Sequence, residues 1–136
     1  MTSFSAWNRL FDQTISNMKV DIDGGSKSLE EALNYLLSSQ EKDRKNAFLS
    51  VTSKLKENIS LFTHIMNTIC QDKSISDKWR KYKYSEQSRH LANNIEPEVI
   101  DALVNAVELN YSNTSHRYYK LKSEMLGKKY LESWDR

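Results

Sequence analysis

From Gln40 to Asp72 the chain contains neither proline nor glycine, and Phe48, Val51, Leu55, Ile59, Phe62, Met66 and Ile69 recur there every three or four residues. At 3.6 residues per turn that spacing stacks the apolar side chains on one helix face. It predicts a single helix of about 30 residues, whose charged start, Glu41-Lys42-Asp43-Arg44-Lys45, lies in water. A rod of that length obliges the remaining segments to pack along it.

Those segments read mostly as helices too. Trp7, Leu10, Phe11, Ile15 and Met18 keep helical spacing, with Ser3 or Ser5 available to accept the first free amide hydrogens. Val20 and Ile22 then alternate with Lys19, Asp21 and Asp23 ahead of Asp23-Gly24-Gly25, which predicts a short hairpin. Ser28-Leu29-Glu30-Glu31 has the form of a capping box and opens a helix that ends near Ser38-Ser39. Asp72-Lys73-Ser74 is expected to interrupt the long helix. Shorter pieces follow over 75–80 and 85–93, the second stopping at Asn93-Asn94. Pro97 suits a first helical position, and Val99, Ile100, Leu103, Val104, Val107 and Tyr111 supply its apolar stripe. The last helix, from about Asn113 to Leu126, closes at Gly127. The expected fold is an all-α, multi-helix bundle with one long central helix and at most one short hairpin near residues 19–27. Residues 1–136 form a single helical segment without repeats or a linker.

Charge narrows the partners. Twenty Lys+Arg against eighteen Asp+Glu leave a net charge of +2, too small a surplus for phosphate binding by bulk electrostatics. In Ser115 to Lys122, SHRYYKLK, the helical wheel places Tyr118, Leu121 and Met125 on one stripe and Arg117, Lys120 and Glu124 on another. Cations and aromatic platforms therefore diverge, and an amphipathic helix is the reading. Lys78-Trp79-Arg80-Lys81-Tyr82-Lys83-Tyr84 alternates bases with aromatics and is the better nucleic-acid signal. Its plainer reading is that Trp79 and Tyr82 anchor a core while the cations snorkel. Nucleic acid is thus not the expected partner, and no apolar run has the roughly 18 residues a membrane span needs.

Chemistry is sparse. His64, His90 and His116 are widely separated and none is followed by glutamate, so no H-E-x-x-H zinc helix exists. Cys70 sits among Ile65, Met66 and Ile69 and reads as a small buried hydrophobe. Gly24, Gly25 and Gly127 are taken by a turn and a cap, leaving no phosphate loop. The sequons at Asn58, Asn110 and Asn113 lack a secretory signal, and the cytoplasm is the expected compartment. The residues alone therefore point to a helical module with no catalytic, metal-binding or cofactor-binding residue.

One further pattern is collective. Asp72 to Arg80, Ser88-Arg89-His90-Leu91-Ala92-Asn93-Asn94-Ile95-Glu96-Pro97-Glu98-Val99-Ile100-Asp101-Ala102-Leu103, SHRYYKLK, and Leu126-Gly127 through Trp134-Asp135-Arg136 occur in a distinctive order. With Trp7 to Asp12 and the Asp23-Gly24 turn before Leu29 to Leu33, nearly the whole chain resembles the segment preceding the catalytic domain in oligoendopeptidase F-type zinc metallopeptidases, of the thimet oligopeptidase clan. Lys128-Lys129 departs from that family's pattern. The resemblance implies a helical wall of a peptide channel in an intracellular enzyme that hydrolyses short peptides. Its zinc would be held by residues outside this span, so the chain is expected to be inactive alone, a truncated chain, a gene fragment or a split-gene product whose partners are the missing catalytic domain and oligopeptide substrates. By the same resemblance Tyr118 packs inward, and His116, Arg117 or Tyr119 is expected to face the channel. Arg89, His90, Asn93 and Asn94 either join them or serve as helix caps and surface pairs. The alternative is a self-contained helical module that binds RNA or protein through Trp79 to Tyr84.

Overall fold

The computed structural model describes residues 3–135, and the Ser3 side chain and Arg136 lie outside what it describes. Among the described residues there are seven α-helices and one two-stranded antiparallel sheet. The chain divides into two units, one made of residues 1–73 and 132–136, the other of residues 74–131.

In the first unit, α1 (Ser3–Asn17) leads into a hairpin of β1 (Lys19–Ile22) and β2 (Gly25–Ser28). Ile22 pairs with Gly25, so Asp23-Gly24 is a two-residue turn, and both residues have positive φ, 52° and 78°. That is the mirror-image turn whose twist matches the strands, and Gly24 meets its requirement without a Cβ penalty. The alternation expected of β1 holds: Val20 and Ile22 are buried while Lys19 and Asp21 face outward. Next comes α2 (Leu29–Asn34), capped as its sequence predicts. The Glu31 amide donates to Ser28 Oγ at 3.2 Å and the Ser28 amide to Glu31 Oε2 at 2.7 Å. A 3-10 turn (Tyr35–Leu37) brings the chain to α3 (Glu41–Glu57). Val20, Ile22, Ala32, Leu36, Ala47 and Val51 form the core, with Leu29, Tyr35, Phe48 and Leu55 packed against it. Ala32 and Ala47, both fully buried, let α2 and α3 approach closely.

The single long helix is not observed. Asn58 separates α3 from α4 (Ile59–Trp79). Its backbone, at φ −102° and ψ 9°, leaves the helical well, its amide turns back to Leu55 O, and its side-chain Nδ2 donates to Lys54 O at 3.3 Å. A short amide side chain competes in this way for helix carbonyls. The break resets the phase of the stripe, so Ile65 is the buried residue of α4, whereas Ile59 and Met66 are exposed. The interruption expected at Asp72-Lys73-Ser74 is absent: α4 continues to Trp79, since none of those residues prevents helical hydrogen bonding.

The helix start expected to lie in water does so at Glu41, Lys42 and Lys45 but not at Arg44. Arg44 is buried, donating to Ser38 O, Ser39 O, Trp134 O and, at 2.9 Å, to Asp135 Oδ1. Asp135 is itself buried and accepts the Glu132 amide through its other oxygen at 2.9 Å. Trp134 lies beside Phe48 and beneath Lys45, and its indole N–H reaches Glu41 Oε1 at 3.3 Å. The end of the described chain is thereby clamped onto the first turns of α3.

The second unit contains α5 (Gln87–Ala92), α6 (Pro97–Leu109) and α7 (Ser115–Met125). Pro97 occupies the first turn of α6 as predicted. Three helices stop in the same way: a residue of positive φ follows the cap, its amide and the next one turning back onto the last turn. At the end of α4 it is Lys81 (φ 57°), after α5 Asn94 (φ 52°), and after α7 Gly127 (φ 63°). Asn and Gly are the ordinary choices there, while lysine carries a Cβ clash.

Candidate functional site

Of the residues assigned to a substrate channel by resemblance, the structure gathers two. His90 and Asn94 line a cleft of about 260 Å³ together with Tyr84, Gln87, Leu91, Ile95, Glu96 and Pro97. Its geometry follows from local sequence. Gln87 and His90 or Leu91 are three to four residues apart and so share one side of α5, and Asn94 follows just past its Asn93 cap. The left-handed Asn94 then turns the chain, with its amide on Leu91 O and that of Ile95 on His90 O, and Glu96-Pro97 closes the opposite wall as α6 begins.

Tyr84 sets the rim. Its ring lies 5.6 Å from the His90 imidazole at an interplanar angle of 51°, and its hydroxyl is 3.4 Å from His90 Nδ1. Gln87 Oε1 accepts the Lys83 amide at 2.7 Å, fixing the loop that carries Tyr84. The cleft thus presents an imidazole, a phenol and carboxamides beside Leu91, Ile95 and Pro97, which suits a ligand with alternating polar and apolar groups. Nothing in the sequence singles out Tyr84 as a cleft residue, whereas Gln87 stands three residues before His90 and so shares its face of α5.

The other assigned residues are elsewhere. Arg89 and Asn93 do not line the cleft, and the Asn93 backbone forms the C-terminal cap of α5. His116, Arg117 and Tyr119 are exposed on α7, with the His116 ring 6.0 Å from that of Tyr111. Tyr118, expected to pack inward, is 56% exposed and stands against Tyr119 at 5.3 Å, because no described element covers that face of α7. Trp79 is not a core anchor: at 84% exposure it ends α4, where the positive φ of Lys81 turns the backbone away. Cys70 is exposed as well, since the phase reset at Asn58 turns its position outward. His64 contacts Trp7 edge-on at 5.4 Å on the surface of the first unit.

The Glu31 carboxyl and the Lys54 ammonium are displaced from their ordinary values. Hydrogen bonds from the Ser28 backbone and hydroxyl hold the Glu31 carboxyl low, with Lys27 and Lys19 adding to the effect. The hydrogen bond from Lys54 to Glu57, at 2.7 Å, raises the Lys54 ammonium. Both pairs belong to helix capping and surface pairing rather than to the cleft. Among the described residues no three His, Cys, Asp or Glu side chains converge in a way that could hold a metal ion, so zinc has no fitting ligand set there. No described helix is long and apolar enough to cross a membrane. Comparison with protein-family models, curated proteins and solved structures gives no match.

Proposed function

We propose that this chain is the helical, non-catalytic part of a cytoplasmic zinc-dependent oligopeptidase of the oligoendopeptidase F type, and that the cleft beside His90 forms a stretch of its peptide channel. The observation that carries this reading is the chemistry of the cleft. A peptide alternates amide groups with side chains, and Tyr84, His90 and Asn94 offer hydrogen bonds next to the apolar Leu91, Ile95 and Pro97. The ordered motifs from Asp72 to Asp135 support the same assignment. Water activation by zinc belongs to residues outside this sequence, which has no H-E-x-x-H.

The test uses the purified chain, short unstructured peptides and zinc. Expected are no hydrolysis with or without one equivalent of zinc, and amide chemical-shift changes on peptide addition confined to residues 84–97. His90→Ala should weaken that binding by about tenfold, the equivalent of one strong hydrogen bond. Stoichiometric zinc binding with unaided cleavage, or peptide-induced shifts located elsewhere, would overturn the reading.

A second reading is favoured by one observation, the exposed Trp79 among Lys78, Arg80 and Lys81. That is a stacking platform of the kind single-stranded RNA uses. A salt titration with an oligonucleotide separates the two readings, because RNA held there must dissociate steeply as salt rises.

A further inference from the structure

Residues 74–131 contain no buried side chain, although α6 and α7 are both amphipathic in sequence. On α6, Val99, Leu103 and Val107 follow at intervals of four and are 59%, 60% and 46% exposed, and Val104 widens the stripe. On α7, Tyr118, Leu121 and Met125 follow at three and four and are 56%, 55% and 79% exposed. Bare apolar stripes of this extent mark interaction surfaces.

Charge identifies what covers them. From Glu96 to Leu109 there are four acids, Glu96, Glu98, Asp101 and Glu108, and neither Lys nor Arg, for a net −4. From Ser115 to Lys129 the bases Arg117, Lys120, Lys122, Lys128 and Lys129 meet only Glu124, for a net +4. The charges also sit beside the stripes. Asp101 and Glu108 lie three before and four after Val104, whereas Arg117 lies four before Leu121 and Lys122 three before Met125. Among the described residues, Asp101, Glu108 and Arg117 form no ion pair within the chain. The helices, 13 and 11 residues long, span about 20 and 16 Å, so either can cover the other.

We propose that a second copy of this chain covers both stripes, α6 of one protomer lying on α7 of its partner and the reverse, in a two-fold symmetric dimer. One chain carries both members of a complementary pair, so a two-fold axis satisfies every stripe and every charge twice over. The apolar residues form the dry centre and the charges a rim that selects the pairing. This dimer does not rest on the peptide-cleft reading, since no apolar residue of either stripe lines the cleft, although Glu96 and Pro97 at the start of α6 do.

Sedimentation equilibrium on the full chain tests the proposal, with far-UV circular dichroism confirming that each variant is folded. The chain is expected to dimerise, and Leu103→Asp or Leu121→Asp should each weaken the dimer by about tenfold or more. Because an aspartate can also disturb a helix, surface charge reversals provide the sharper arm. Asp101→Lys with Glu108→Lys, or Arg117→Glu with Lys122→Glu, should each raise the dissociation constant about tenfold. All four changes in one chain should restore it. A chain that stays monomeric, including one whose stripes are covered instead by a separate zinc-bearing protein, overturns the proposal. So does a dimer that ignores the reversals or is not rescued by their combination.

Discussion

Asp135→Ala is the most severe single change the structure points to. The Arg44–Asp135 pair is 2.9 Å long, with side chains 9% and 0% exposed, so solvent does little to screen or replace it. Removing the carboxylate leaves a buried guanidinium whose remaining contacts, to Ser38, Ser39 and Trp134 carbonyls, are all neutral. It also deprives the Glu132 amide of its acceptor. Truncating one member of such a pair costs about 3–5 kcal/mol, a large part of the roughly 5–15 kcal/mol that holds a domain together. Asp135→Asn keeps an acceptor of the same shape and loses only the charge, so its cost should fall to about 1–3 kcal/mol. Arg44→Met with Asp135→Leu, which removes both charges, should be milder than Asp135→Ala alone. Urea unfolding, followed by circular dichroism and by the emission of Trp134 in a Trp7→Phe, Trp79→Phe background, measures all three. The reasoning fails if Asp135→Ala costs less than about 1 kcal/mol, the range of an exposed salt bridge. It fails equally if Trp134 is released without urea while the circular dichroism midpoint stays put, for then the clamp is not part of the core.

Two further predictions rest on caps. Because Glu31 is held below its ordinary value of 4.5, its contribution to stability is present above that value and is lost as pH falls through the lower folded-state value. Glu31→Gln should flatten that acid-side slope in urea midpoints measured across pH, and an unchanged slope would contradict it. Lys81 carries a positive φ of 57°, so Lys81→Gly should stabilise by about 0.5–1 kcal/mol, and Gly127→Ala should destabilise by about 1 kcal/mol. Thermal unfolding reads both, and a destabilising Lys81→Gly would show that the lysine side chain outweighs its backbone strain.

Much of the local structure was legible because its determinants lie within a few residues of one another. The Ser28–Glu31 capping box, the Asp23-Gly24 turn, Pro97 at the start of α6, and the stops at Asn94 and Gly127 are all settled by short-range hydrogen bonds and by φ. Of the eight residues lining the cleft, only His90 and Asn94 were named beforehand as channel residues, and those from the family resemblance rather than from local pattern. Failures arose where two local tendencies compete or where the partner is remote. A seven-residue stripe argued for one helix, yet the side-chain amide of Asn58 broke it and moved burial from Met66 to Ile65.

Sequence alone determined that this chain is mainly helical with a hairpin near its start, because periodicity, capping and turn chemistry act at short range. Only the tertiary structure decided that Arg44 is buried rather than solvated, since its counter-charge lies 91 positions away. Likewise it alone showed that the stripes of α6 and α7 stay bare. A stripe states that a face is to be covered, and covering depends on contacts that no local pattern encodes.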